Sequence, residues 1–313
     1  MTSERLAWVA LVWGSGLGPQ GIGRLIERFG SATAVLAASA DELRQARARL
    51  TPEAAARIAG LAEQLDAVEE ELVRLGDGGV QVVCAFEPAF PPVLKQVPNP
   101  PVILRIRGHL PNDASRAVAI VGTRTPSEEG EGLARRLASD LAARGYGIVS
   151  GLALGVDTAA HEGALDAGGD TVAVLGSGIR VIHPRQNEGL AERIADHGAL
   201  VSELPPNARP SVARLMARNR LQAALSRAVI VVETREQGGS INTAHAGLRQ
   251  QRLVLAVDWQ TPAESREGNL SLLKQGIAPL PERYDPDALC AQIEAFVPGV
   301  TEPNAPNHQL SLF

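Results

Sequence analysis

The stretch Ala117-Val118-Ala119-Ile120-Val121-Gly122-Thr123-Arg124 (AVAIVGTR) decides the architecture. Five apolar residues in succession followed by a glycine suit a parallel strand that is covered on both faces and ends in a tight turn. Outward from it the pattern repeats in Gly147 to Val149, Thr171 to Leu175, Ala199 to Val201, Val229 to Val232 and Leu253 to Val257. Between these runs lie segments of helical period; in the first, Leu133, Leu137 and Leu141 recur every four residues. Such alternation predicts an α/β fold, a Rossmann-like doubly wound and mostly parallel sheet with helices on both faces.

Before this region the character changes. Residues 1–78 are rich in Ala, Leu, Arg and Glu, with helical spacing in Leu17 to Phe29, Ala32 to Ala38 and Ala54 to Leu75. The expected organisation is a small helical domain over 1–78, a connector with strands over 79–115, the Rossmann-like domain over 116–285, and a short helix and flexible tail over 286–313. The run Gly16 to Arg24 looks like a helix-hairpin-helix or SAM-type bundle, whose glycine turn can present N–H groups to a phosphate. A plain glycine turn joining two core helices accounts for the same residues.

Composition narrows the function classes. The 313 residues are 45% hydrophobic and 21% charged, which excludes a disordered chain, a collagen or a coiled coil. Two cysteines, Cys84 and Cys290, provide neither a disulfide framework nor zinc-ligand spacing, so no metal and no cofactor are expected. The apolar run Leu6 to Trp13 is too short to span a bilayer and reads as a buried helix, consistent with a cytoplasmic chain without a membrane partner. The net charge of −5 and the ten aromatic residues speak against a polyanion partner at first sight. The local balance is different: residues 205–258 carry eight basic and three acidic side chains. Only Lys95 and Lys274 are lysines, so arginine forks, suited to bidentate phosphate contacts, carry nearly all the positive charge.

In an open parallel sheet ligands bind beyond the carboxyl ends of the strands. The first of those loops presents Gly122, Thr123 and Arg124 as anion ligands, and Thr125 with Glu128 is expected to form a capping box with Pro126 at the first helical position. It has no G-x-G-x-x-G, which disfavours a dinucleotide. In the second, Gly151 and Gly155 shape the turn, Asp157 stands at an expected N-cap, and His161 lies four residues on. An acid/base pair has that spacing, but with no nucleophile or third ligand nearby a cap and a packed histidine is the favoured reading. The loop from Gly176 to Asn187 is again glycine-rich and basic. Arg218 and Arg220 flank Asn219, a candidate cap for the helix after it. Gly238, Gly239, Ser240, Ile241, Asn242 and Thr243 run straight into a helix, which is anion-cradle geometry. Several such loops on one edge imply a ligand with several phosphates.

Taken together, AIVGTR (119–124), SGLALGVDTAAHEGAL (150–165), TVAVLGSG (171–178), SELPP (202–206), ARNR (217–220), VVET (231–234), GGSINTAHA (238–246) and EGN (267–269) resemble the DNA-processing protein A family, DprA or Smf. The resemblance covers about residues 80 to 280. It implies a non-enzymatic homodimer that binds single-stranded DNA, protects incoming strands in natural transformation and loads the RecA recombinase. It also implies a DNA-backbone pocket made of Gly122, Thr123, Arg124, Arg218, Asn219, Arg220, Gly238, Gly239, Ser240, Asn242 and Thr243. Members commonly carry an aromatic where this chain has Leu215, and a Pro-Gly where it has Asp258-Trp259. Many end in a winged-helix domain; here only the segment Pro286 to Phe296 precedes the tail.

That tail closes with Gln309, Leu310, Ser311, Leu312 and Phe313 (QLSLF), which looks like the pentapeptide that docks repair proteins on the replication sliding clamp. Leu310, Leu312 and Phe313 would fill an apolar groove while Gln309 hydrogen-bonds at its mouth. Two rival functions have signatures of their own. A phosphoribohydrolase of the same fold needs a carboxylate where this chain has Ala246. A protein adaptor at the clamp would act through the tail.

Overall fold

The computed structural model describes residues 2–46, 50–111 and 116–297. The pentapeptide Gln309 to Phe313 and the linker before it lie outside the described residues. The chain divides into two compact units: residues up to Arg107 with Gly178–Arg180 and Val201–Ala208, and the remainder.

In the first unit, helices α1 (Ser3–Gly14), α2 (Pro19–Phe29), α3 (Ala32–Ala37), α4 (Ala40–Gln45), α5 (Pro52–Ala59) and α6 (Leu65–Asp77) precede strands β1 (Val80–Cys84) and β2 (Ile103–Gly108). The polar breakers between helices are caps: Ser31 accepts from the Ala34 N–H, Ser39 forms a capping box with Glu42, and Thr51 precedes Pro52. Each cap contributes about 1 kcal/mol. Gly16, at φ 70°, turns the chain between α1 and α2, and Arg57 donates to the Ser15 carbonyl at the end of α1. Strands β1 and β2 pair antiparallel with Val82 opposite Arg105. The outer edge of β1 is blunted, since Arg5 donates to the Val82 carbonyl and the Cys84 N–H donates to Glu87.

From Ala117 onward the chain alternates β3 (Ala117–Val121), α7 (Glu128–Ala142), β4 (Gly147–Ser150), α8 (Val156–Asp166), β5 (Thr171–Val174), α9 (Glu188–Asp196), β6 (Gly198–Ser202), α10 (Val212–Ala224), β7 (Ala228–Val231), α11 (Gly239–Arg249), β8 (Leu253–Asp258), α12 (Glu267–Lys274), β9 (Ala278–Pro281) and α13 (Pro286–Ala295). Strand order is β6-β5-β4-β3-β7-β8-β9, and β5-β4, β4-β3, β3-β7, β7-β8 and β8-β9 pair parallel. The doubly wound sheet expected from the apolar runs is present. β9 is an addition: its sequence APLP lacks an apolar run, and its two prolines are tolerated at a sheet edge where their missing N–H groups have no partner to serve.

Arginines stand at the amino ends of three of these strands and satisfy carbonyls at helix ends. Arg116 donates to Arg144 and Gly145 after α7, Arg227 to Ile293, Glu294 and Phe296 at the end of α13, and Arg252 to Ala224 at the end of α10. Two of the eight basic residues in 205–258 therefore serve the fold at the edge opposite the loops. No helix among the described residues is long and apolar enough to cross a membrane.

Candidate functional site

The sheet reverses its winding between β3, which is followed by neighbours on one side, and β7, which opens the other. Such a switch point leaves a crevice between the loops of the two strands. Here that crevice is a cleft of ≈ 400 Å³ lined by Gly122, Thr123, Arg124, Asp157, Arg218, Asn219, Gly238, Gly239, Ser240 and Thr243, among others. Arg220 and Asn242 are not part of its lining: Arg220 Nη1 donates to the Ala217 carbonyl, and the Asn242 amide faces the Met216 sulfur at 3.7 Å.

Three local expectations are corrected. The cap of α7 is Ser127, which accepts from the Gly130 N–H, and not a Thr125–Glu128 box, because Ser127 is held in place by the buried Glu233. Asp157 is the second residue of α8 and the cap position belongs to Gly155, at φ 78°, where a Cβ would lie 2.6 Å from the Thr123 carbonyl. Asn219 sits inside α10, which starts at Val212 behind the Ser211 cap, so the ARNR arginines project from the body of a helix.

At the rim, the Arg124 side chain is exposed. The Thr123 N–H is spent on the Glu233 carbonyl at 2.7 Å and gives a ligand nothing. Across the cleft α11 begins at Gly239 with Gly238 as its cap residue and no side-chain cap. The Ser240 hydroxyl donates to Thr234 at 2.6 Å, so the anion-binding capacity there comes from backbone N–H groups and the positive end of the helix. Gly238 is required: a Cβ would meet the Thr234 hydroxyl at 2.2 Å. Asn219 ties α10 to this turn by donating to the Gly239 carbonyl at 3.0 Å.

On the floor, Arg218 is 6% exposed and donates to the Val174 carbonyl. Burial pushes its pKa down to about 10, partly offset by Asp157, and the guanidinium stays charged at neutral pH. Asp157 accepts the Gly151 and Ala153 N–H groups at 3.1 and 3.3 Å. Burial raises its pKa, while Arg218 and these donors oppose the rise. No hydrogen bond joins Asp157 to His161 among the described residues. Thr171 donates its hydroxyl proton to the Ile148 carbonyl, so the contact of 2.7 Å to His161 Nδ1 requires the histidine to donate. Burial and the Arg218 charge push His161 down to about 3, which keeps it neutral.

Several residues of this site carry no recognisable motif role. Gln222, beneath Arg218, accepts from the Gly151 N–H and from Arg218 Nη1 when its amide is turned to satisfy both ends. Asn187 donates to Leu152 and Thr158 and fastens the β4 loop. Asn269 of the EGN run donates to the carbonyls of Val231, Val232 and Val257 and accepts the Thr234 N–H at 2.8 Å. That run was visible in sequence as a motif, but its role in holding the β7 loop needs the third dimension. No group of three or more His, Cys, Asp or Glu side chains capable of holding a metal occurs among the described residues.

A family model described as DNA recombination-mediator protein A matches residues 81–291. Protein Smf of Synechocystis is 37% identical over 200 residues, covering 63% of this chain and 50% of that protein. DNA processing protein DprA of Bacillus subtilis is 35% identical over 199 residues, covering 63% and 67%. The chain thus spans half to two thirds of these relatives. Among solved structures, DNA processing protein A from Streptococcus pneumoniae superposes with a TM-score of 0.74 at 26% identity, over 90% of this chain and 95% of the other. The Helicobacter pylori protein, whose structure addresses its single-stranded DNA binding mode, superposes at 0.60 and 27% identity over 69% and 95%.

Proposed function

The chain belongs to the DNA recombination-mediator protein A family, and on that premise we propose that it binds single-stranded DNA and acts as a recombination mediator. The observation that carries this reading is the convergence of Arg124, Arg218 and the uncapped start of α11 on one cleft. Guanidinium forks and backbone N–H groups suit phosphate oxygens and read no base, so binding is sequence-tolerant. The cleft holds rather than cleaves. His161 is neutral, the Ser240 hydroxyl is engaged, and Ala246 stands where a phosphoribohydrolase needs a carboxylate. Protection of incoming strands, RecA loading and action as a homodimer complete the proposal.

The test is fluorescence anisotropy with labelled oligo-dT and a duplex of equal length over a salt series. Tighter binding of the single strand, with affinity falling steeply as salt rises, is the expected result. Equal affinity for both forms, or none for the single strand, overturns the reading. For the downstream step, the chain should speed RecA assembly on a strand already coated by single-strand-binding protein.

A further inference from the structure

Behind the Arg124 rim lies a chain of contacts that meets the cleft lining at Thr123. Arg266 is 8% exposed. Its guanidinium lies over the Trp259 ring, 4.1 Å from the centroid, and donates to the Thr261 carbonyl at 3.1 Å, the Ser127 hydroxyl at 2.9 Å and the Glu129 carboxylate at 3.3 Å. Trp259 donates from Nε1 to the Val232 carbonyl at 2.7 Å. The Ser127 hydroxyl in turn donates a hydrogen bond to the Glu233 carboxylate at 2.7 Å, and the Glu233 carbonyl accepts the Thr123 N–H at 2.7 Å. The segment Gly122 to Ser127, which bears Arg124, is therefore gripped at Thr123 by Glu233 and at Ser127 by Glu233 and Arg266 together.

Burial of a guanidinium costs free energy that hydrophobic packing would not, so stability alone does not account for Arg266. What the planar fork and the ring under it add is direction: three hydrogen bonds and one stacking contact fix the orientation of the guanidinium that holds Ser127 at the end of the loop. We propose that Arg266 and Trp259 are positioning residues that hold the Arg124 rim in its DNA-binding geometry, a role that rests on the reading of the cleft as a single-stranded-DNA site.

The experiment compares Arg266→Ala, Arg266→Lys, Trp259→Leu and Arg124→Ala by oligo-dT binding over a salt series, with circular dichroism to establish folding. A positioning residue touches no phosphate. Arg266→Ala and Trp259→Leu should thus weaken binding by about tenfold while leaving the slope of log K against log salt unchanged. Arg124→Ala should lower that slope by about 0.7. Lysine at 266 keeps the charge without the fork and should fare no better than alanine. Unaltered affinity in folded Arg266→Ala, a slope reduced like that of Arg124→Ala, or full rescue by lysine would each overturn the proposal. Should the parent chain not bind oligo-dT at all, the DNA reading fails by itself. Amide exchange over Gly122 to Thr125 then decides the latch: faster exchange in Arg266→Ala supports it and unchanged exchange refutes it.

Discussion

The Arg218 guanidinium lies against Gly151 so closely that a Cβ on residue 151 would stand 1.8 Å from Nη1. The glycine of the β4 loop and the arginine of α10 are thus one feature, although 67 positions of chain separate them. Gly151→Ala should displace the guanidinium from the Val174 carbonyl and cost about 1–3 kcal/mol through overpacking, with weaker oligo-dT binding. Denaturant unfolding with anisotropy checks both effects, and a stable, fully binding variant would contradict the packing described.

Arg220 and Arg218 are two positions apart on α10 but differ in placement, since only Arg218 lines the cleft. Arg218→Ala should reduce affinity for single-stranded DNA at least tenfold, as expected where a buried charged hydrogen-bonding group is lost. Arg220→Ala should change affinity by no more than about threefold, which corresponds to a surface charge contribution below about 1 kcal/mol. Equal losses in the two variants would show that the strand runs outside the cleft.

His161 gives stability a pH dependence of predictable sign. Its folded pKa, pushed down to about 3 from 6.5, lies below that of the unfolded chain, so the unfolded state binds more protons between those values. The stabilisation is complete above pH 6.5 and is lost as pH falls toward 3, by about 1.4 kcal/mol per pH unit. Asp157, with its pKa raised, contributes with the opposite sign. Urea unfolding between pH 4 and pH 7 should therefore show a shallower slope in His161→Gln than in the parent, the Asp157 contribution being common to both.

Asn269 accepts the Thr234 N–H and shares its two amide protons among the carbonyls of Val231, Val232 and Val257, of which Val232 also accepts from Trp259. Asn269→Ala would leave buried polar groups unpaired, each costing about 1–3 kcal/mol, and should destabilise the chain by at least about 3 kcal/mol. Asp at this position keeps the acceptor for Thr234 but loses the donors, so it should rescue little. Thermal unfolding of both variants tests the assignment.

How much of this was legible in advance depends on the range of the interactions involved. Apolar strand runs, helical spacing and the order of the loops are local patterns, and they determined the doubly wound sheet and pointed to Gly122, Arg124, Arg218 and Gly238, which line the cleft beyond its strand ends. Helix caps at Thr125, Asp157 and Asn219, which local sequence predicts, do not form because a competing partner is decisive in each neighbourhood: buried Glu233 for Ser127, the Gly151 and Ala153 N–H groups for Asp157, and the continuing α10 helix for Asn219. Only the tertiary structure decided that the Thr123 N–H and the Ser240 hydroxyl are already engaged, that Arg227 and Arg252 face helix ends at the opposite edge, and that Arg266 reaches Ser127. The reason is physical. A backbone pattern records which face of an element is apolar, but hydrogen-bonding groups are claimed by whichever partner folding brings within 3 Å, and that partner lies anywhere in the chain.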